Sequence, residues 1–228
     1  FGAGGKNFKR AAQRIVRQAL KFTEINSATA FVADDLDAGY FDRFPDFPTR
    51  FPRGFGLWSW KPYLIDRELS KILDDDILLY VDGGCELNHT ASRRFAEYVE
   101  HVNKYGVLLV ELNNQNYRWT KNDPRLLPDD ECRLGKQRIA TILMIKKSTK
   151  SQRFVADWLA LSSEDDGYLL KDVVSEPQHP DFVDHRHDQS TLTAVSYRYG
   201  YPALPDETFI AWNGLKNFVR SAMRQPIL

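Results

Sequence analysis

The feature that most constrains this 228-residue chain is a short apolar run, Ile77-Leu78-Leu79-Tyr80-Val81, stopped at once by Asp82-Gly83-Gly84. An unbroken apolar run of strand length, bounded by turn residues, marks a strand covered on both faces, because a half-solvated strand alternates instead. Covering both faces of a sheet takes helices, so the run predicts an α/β domain with a mainly parallel central sheet flanked by helices.

The sequence around the run fits that scheme. Residues 7–22 set Phe8, Ala12, Ile15, Val16, Ala19 and Leu20 at three- and four-residue spacing, the stripe of an amphipathic helix. Residues 29–33 read as a short strand. Residues 40–56, punctuated by Pro45, Pro48 and Pro52, read as an irregular loop. Further helices are predicted over 62–73, 91–104 and 150–161, and a last one starting near Asp188. Buried strands are predicted over 106–111 and 138–146, with polar loops over 113–131 and 162–184, the latter read as mobile. Nothing divides the chain, so residues 1–228 are expected to form a single domain. Opening on Phe1 rather than Met, it reads as part of something longer.

Charge narrows the function. Thirty-one basic and 31 acidic residues cancel, which argues against nucleic acid as a partner, since that binding draws on a cationic surface. The apolar runs are too short to span a bilayer. Two cysteines, Cys85 and Cys132, make no disulfide framework, and point to a reducing, cytoplasmic setting. Gly2-Ala3-Gly4-Gly5 opens the first helix as a glycine turn of the kind that brings backbone N–H groups to a phosphate.

Chemistry is expected at Asp82. Ligands of open α/β sheets gather at the carboxyl ends of the strands, and two glycines after Asp82 leave room for a bulky group. Either Asp82 is a solvated turn residue capping the next helix, or its carboxylate holds a hard cation such as Mn²⁺ or Mg²⁺ that neutralises a diphosphate. Lys61 is the second signal. A cation at a helix amino terminus opposes the helix dipole unless an anion lies beside it.

The string Gly54-Phe55-Gly56-Leu57-Trp58-Ser59-Trp60-Lys61-Pro62-Tyr63, the run ending in Asp82-Gly83-Gly84-Cys85-Glu86, Trp119-Thr120-Lys121-Asn122-Asp123 and His185-Arg186-His187-Asp188-Gln189-Ser190 together resemble bacterial and viral polysaccharide glycosyltransferases of the GT-A class. That resemblance implies a Rossmann-like GT-A domain, a nucleoside-diphosphate-sugar donor and a glycan or glycoconjugate acceptor. Asp82, Gly83, Gly84, Lys61, Trp60 and Arg186 are then expected at the donor. Trp119 and Trp58 are expected at the acceptor. The common motif of the class, Asp-x-Asp, has its second acid replaced here by Gly84, so a divalent cation would rely on Asp82 with Glu86 and His187, or His185, as ligands.

Several of these residues carry two readings. Trp58 and Trp60 either stack on a sugar or base, or anchor the loop to the core. Asp123 is either a sugar-binding or basic carboxylate, or the acid of an Asp-Pro turn. Asp188 is either the N-cap of the last helix or the base that takes the acceptor's hydroxyl proton, which an inverting transfer needs. Two other functions share part of the pattern: a sugar nucleotidyltransferase, and a non-catalytic carbohydrate-binding domain.

Overall fold

The computed structural model describes residues 6–208 and 219–221; the glycine turn expected at 2–5 lies outside them. In chain order the elements are α1 (Lys6–Ala19), a 3₁₀ turn (Ala33–Asp35), α2 (Ala38–Arg43), α3 (Phe47–Arg50), α4 (Gly54–Leu57), α5 (Trp60–Lys71), β1 (Ile77–Val81), β2 (Cys85–Leu87), α6 (Ser92–Tyr105), β3 (Val107–Gln115), α7 (Asn116–Trp119), α8 (Asp130–Leu134), β4 (Lys136–Arg138), β5 (Ile142–Lys146), α9 (Thr149–Gly167), a second 3₁₀ turn (Tyr168–Leu170), α10 (His187–Tyr199), β6 (Ala203–Pro205) and β7 (Val219–Ser221).

The result is an α/β fold with a mixed sheet between helical layers. The order is β1-β5-β3-β4, with β6 also on β3. β5 pairs antiparallel with both β1 and β3, β4 pairs antiparallel with β3, and β6 lies parallel to β3. β1, β3 and β6 therefore point one way, and residues 136–146 run back between β1 and β3. This corrects the expectation of a mainly parallel sheet. Between β3 and β4 stand only the short α7 and α8, with no crossover helix to return the chain to the same end, so it comes back antiparallel.

Two-sided burial of the central strands holds as read. Val107, Leu109, Leu143 and Ile145 pack with Ile65, Leu69, Phe154, Trp158 and Val195 on one face. Leu108, Val110, Ile142 and Met144 pack with Ile15, Ala19, Phe95, Tyr98 and Val102 on the other. Alternation along each strand sends successive side chains to opposite faces, and each such burial contributes about 1.5–3 kcal/mol. β1 is different. It forms one end of the sheet's pairing order, and each of its residues is only half-buried.

Other local departures matter for the site. Residues 29–33 form no strand, and 40–56 contain the short helices α2, α3 and α4, packed into an aromatic cluster of Tyr40, Phe44, Phe47 and Trp60. The strand expected over 138–146 is broken at 139–141. Residues 162–184 are not the mobile loop expected: 162–167 belong to α9, 168–170 form the second 3₁₀ turn, and 171–184 are tied down. Asn122 Nδ2 donates to Pro177 O, Val183 N to Arg118 O, and Lys121 Nζ to Lys171 O and Val173 O. Among the described residues no helix is long and apolar enough to cross a membrane.

Candidate active site

Four separate stretches of chain meet at the carboxyl end of β1. The first is the turn before α5, where Gly54, Phe55, Gly56, Leu57 and Trp58 all have positive φ. Three of these are not glycine, and residues held in that region cost about 1–3 kcal/mol each, strain that tends to collect at functional positions. The turn is held by Trp60 Nε1 donating to Gly54 O at 2.9 Å and by the Tyr40 and Ser59 hydroxyls at 2.8 Å. It leaves Lys61 in the first turn of α5, pointing inward.

Lys61 is 2% exposed. Its Nζ lies 2.9 Å from Asp188 Oδ2 and 3.3 Å from Asp82 Oδ1, and donates to Ala140 O at 3.0 Å. The Ala140 carbonyl is available because the 136–146 strand breaks there; the next carbonyl, Thr141 O, accepts from Asp82 N at 2.9 Å. Tyr80, two residues before Asp82 and so on the same face of the strand, donates its hydroxyl to Asp82 Oδ1. Arg14 of α1 donates to Gly83 O at 3.1 Å and fixes the turn that follows.

Electrostatics set these groups apart. Burial works against the Lys61 charge, but Asp188 and Asp82 outweigh it, and the Lys61 pKa is raised. Burial raises the Asp188 pKa despite the Lys61 ammonium beside it. Burial, then the Asp82 carboxylate, pushes the Tyr80 hydroxyl well above its ordinary value, so it stays protonated as a donor. Two carboxylates thus share one ammonium in a nearly dry site. Asp188 Oδ2, close as it is to Lys61, has no well-aligned hydrogen-bond donor. Buried ion pairs of this kind are weak stabilisers, because desolvation consumes the attraction. A desolvated, charge-coupled cluster at a strand end is a functional-site signature.

The structure brings together Lys61, Asp82 and Asp188, with Gly83 and Gly84 in the turn between β1 and β2. Asp188 is not an N-cap: Arg186 holds that position, and Asp188 lies in the first turn with its carboxylate on Lys61. His187, with φ 47°, has Nδ1 2.7 Å from Leu170 O, while its buried Nε2 has no hydrogen-bond partner and sits 3.8 Å from Asp172. Trp58 packs against the His187 ring at 5.4 Å, and Arg53 lies over Trp58 at 5.9 Å. Arg186 lies 4.2 Å over Trp119. Both guanidinium groups reach Asp184 only at 4.0 and 3.8 Å, beyond hydrogen-bond length.

Other expected residues lie elsewhere. Trp60 is 5% exposed inside the aromatic cluster and anchors the loop. Asp123 is taken up by Arg125, which donates from its backbone N at 2.9 Å, from Nε at 3.0 Å and from Nη2 at 2.9 Å. The Asp123 pKa is lowered: those contacts outweigh the burial that opposes them. A carboxylate so bound is a poor base, and the Asp-Pro turn reading fits it. Glu86 sits on β2 opposite Arg220 of β7, outside the Lys61 network. His185 is buried with Nε2 on Leu169 O at 2.8 Å, and burial lowers its pKa to about 3.

A divalent cation therefore meets a poor donor set. Among the described residues no three His, Cys, Asp or Glu side chains come close enough to hold one, and the space between Asp82 and Asp188 belongs to Lys61. Tyr80, Ala140, Arg14 and Arg53 escaped sequence reasoning. Only Tyr80 carried a signal, its i, i+2 relation to Asp82. Comparison with protein-family models, with curated proteins and with solved structures gave no match.

Proposed function

We propose that the chain is a glycosyltransferase of GT-A type, moving a sugar from a nucleoside-diphosphate donor to a hydroxyl of a glycan acceptor. The observation that carries this reading is the buried Lys61–Asp82–Asp188 cluster at the carboxyl end of β1. Asp188 is the base: desolvation makes its carboxylate a better proton acceptor. The acceptor hydroxyl gives its proton to Asp188 as its oxygen bonds to the sugar's anomeric carbon. The bond from that carbon to the diphosphate breaks, and the diphosphate leaves with the electron pair. Asp82, held by Tyr80 and Lys61, accepts from a donor hydroxyl. Arg186 and Arg53, loosely paired over their indole rings, meet the leaving group's charge.

The test is thermal unfolding against a panel of nucleoside diphosphates and their sugars, for the native chain and Asp82→Asn. A ligand at 100 times its dissociation constant stabilises by about 2.7 kcal/mol. One nucleotide family should raise the midpoint for the native chain and leave Asp82→Asn unmoved. A flat response to every nucleotide would sink the reading and favour a glycan-binding domain.

A further inference from the structure

We propose that Lys61 stands in the place of the divalent cation, so that donor binding at this site, on the glycosyltransferase reading above, is cation-independent. The GT-A resemblance implies a metal between carboxylates, yet the residues present do not make its cage. Gly84 offers no carboxylate where the common motif has its second acid. Glu86 lies on β2, outside the network, and His187 is turned by Leu170 O with its Nε2 toward Asp172 rather than Asp82.

What the two carboxylates do share is an ammonium. Lys61 Nζ is 2.9 Å from one and 3.3 Å from the other, and its remaining contact is the Ala140 carbonyl. Oxygen atoms from three chain segments, both of the Asp82 oxygens among them, converge on a single positive point, which is the task a bridging cation performs. A lysine ammonium is a compact point charge with three donors, and here it is delivered by a helix start that its own dipole disfavours. The strained turn over 54–58 and the break at 139–141 both serve to complete this contact. The carboxylates are thereby held apart and oriented by the chain itself. The diphosphate charge then falls to Arg53 and Arg186, whose links to Asp184 are long enough to exchange. Lys61 is a positioning residue in this scheme, touching the carboxylates rather than the substrate.

The experiment titrates Mn²⁺ alone onto the native chain, Lys61→Ala and Asp82→Asn, followed by electron paramagnetic resonance. Circular dichroism confirms folding, and Lys61→Gln replaces Lys61→Ala should that variant unfold. The native chain should take up no Mn²⁺ at this site. The Lys61 variant, with both carboxylates released, should bind at least about tenfold more tightly than the native chain, because carboxylate oxygens are the ligands Mn²⁺ prefers. Tight Mn²⁺ binding by the native chain that disappears in Asp82→Asn would overturn the proposal, as would a folded Lys61 variant that binds none. A second arm measures binding of the nucleoside diphosphates by calorimetry in chelator and in Mn²⁺. Equal affinity in both supports the proposal, and binding only with Mn²⁺ refutes it. If no nucleotide binds in either buffer, the transferase reading fails, and the Mn²⁺ arm still decides whether Lys61 fills a cation position.

Discussion

Lys61 shows how a single residue can be indispensable without being a net stabiliser. Its charge, 3% exposed along the side chain, is balanced by a carboxylate nearly as buried, Asp188 at 6%, and by the partly exposed Asp82 at 16%. Removing one member of such a set strands the others, at about 3–5 kcal/mol. Lys61→Met should therefore lower the denaturant-derived stability by about that amount. Adding Asp188→Asn to Lys61→Met should return part of the loss, a coupling that an additive double-mutant cycle would disprove. Asp188 itself should show its role in kinetics. Asp188→Asn should cut kcat by about 10²–10⁴ with a smaller change in KM, the range expected for loss of a general base. Only the ionised carboxylate can take a proton, and burial raises its pKa. The native rate should thus fall as pH drops through a value above the ordinary Asp pKa of about 3.9. An acid limb at or below that value would remove Asp188 from the role.

The elements that build the site were legible to different depths. The Trp-x-Trp-Lys-Pro string announced a structured entry to α5, and Ile77–Val81 announced its strand. Nothing local, however, distinguishes an indole that meets substrate from one that plugs an aromatic cluster, which is where Trp60 goes. Nor does periodicity reveal that 136–146 is one reversed strand broken at 139–141, because nothing in its apolar pattern marks the carbonyl that Lys61 reaches there. Asp188 stayed open between cap and base for a similar reason: an acid near a helix start fits either, and its contact with Lys61 joins residues far apart in the sequence. The turn over 54–58 offers a test at this scale. Gly56 has φ +83°, and a Cβ there would lie 3.1 Å from both Ser59 Oγ and Tyr40 Oη. Gly56→Ala should cost about 1–3 kcal/mol from the left-handed backbone alone. It should also weaken nucleotide binding, by shifting the start of α5 and with it Lys61. Unchanged binding in a destabilised variant would show that the turn serves packing only.

Across the whole molecule, the layers were readable because the unbroken apolar runs of β3 and β5 demand cover on both faces, and α1 and α6 on one side with α5, α9 and α10 on the other supply it. Strand direction was not readable, since it depends on whether a crossover helix separates β3 from β4. The segment after α9 was misjudged as mobile, because its acidic and proline-bearing composition hides the tether that holds it. That tether is Lys121, 1% exposed, whose Nζ donates to Tyr168 O at 2.6 Å, Lys171 O at 2.9 Å and Val173 O at 3.0 Å. Lys121→Met leaves Lys171 O and Val173 O without a donor, Tyr168 O keeping the Lys171 N–H, which should cost about 2 kcal/mol or more at about 1–3 kcal/mol for each stranded group. Burial also lowers the Lys121 pKa from 10.5 to about 8. Between those values the unfolded chain holds a proton that the folded chain has released, so this residue makes stability climb with pH, by at most about 1.4 kcal/mol per pH unit. Cys132, whose thiol burial pushes up from 9.0 to about 12, acts in the opposite sense above pH 9, since there the folded state keeps the proton. The diagnostic quantity is therefore the difference between native and Lys121→Met chains, measured by urea unfolding from pH 7 to 10. The native advantage should be smallest near pH 7 and widen above pH 8. A constant difference would mean that Lys121 keeps its proton throughout and ties the segment down as a permanent cation.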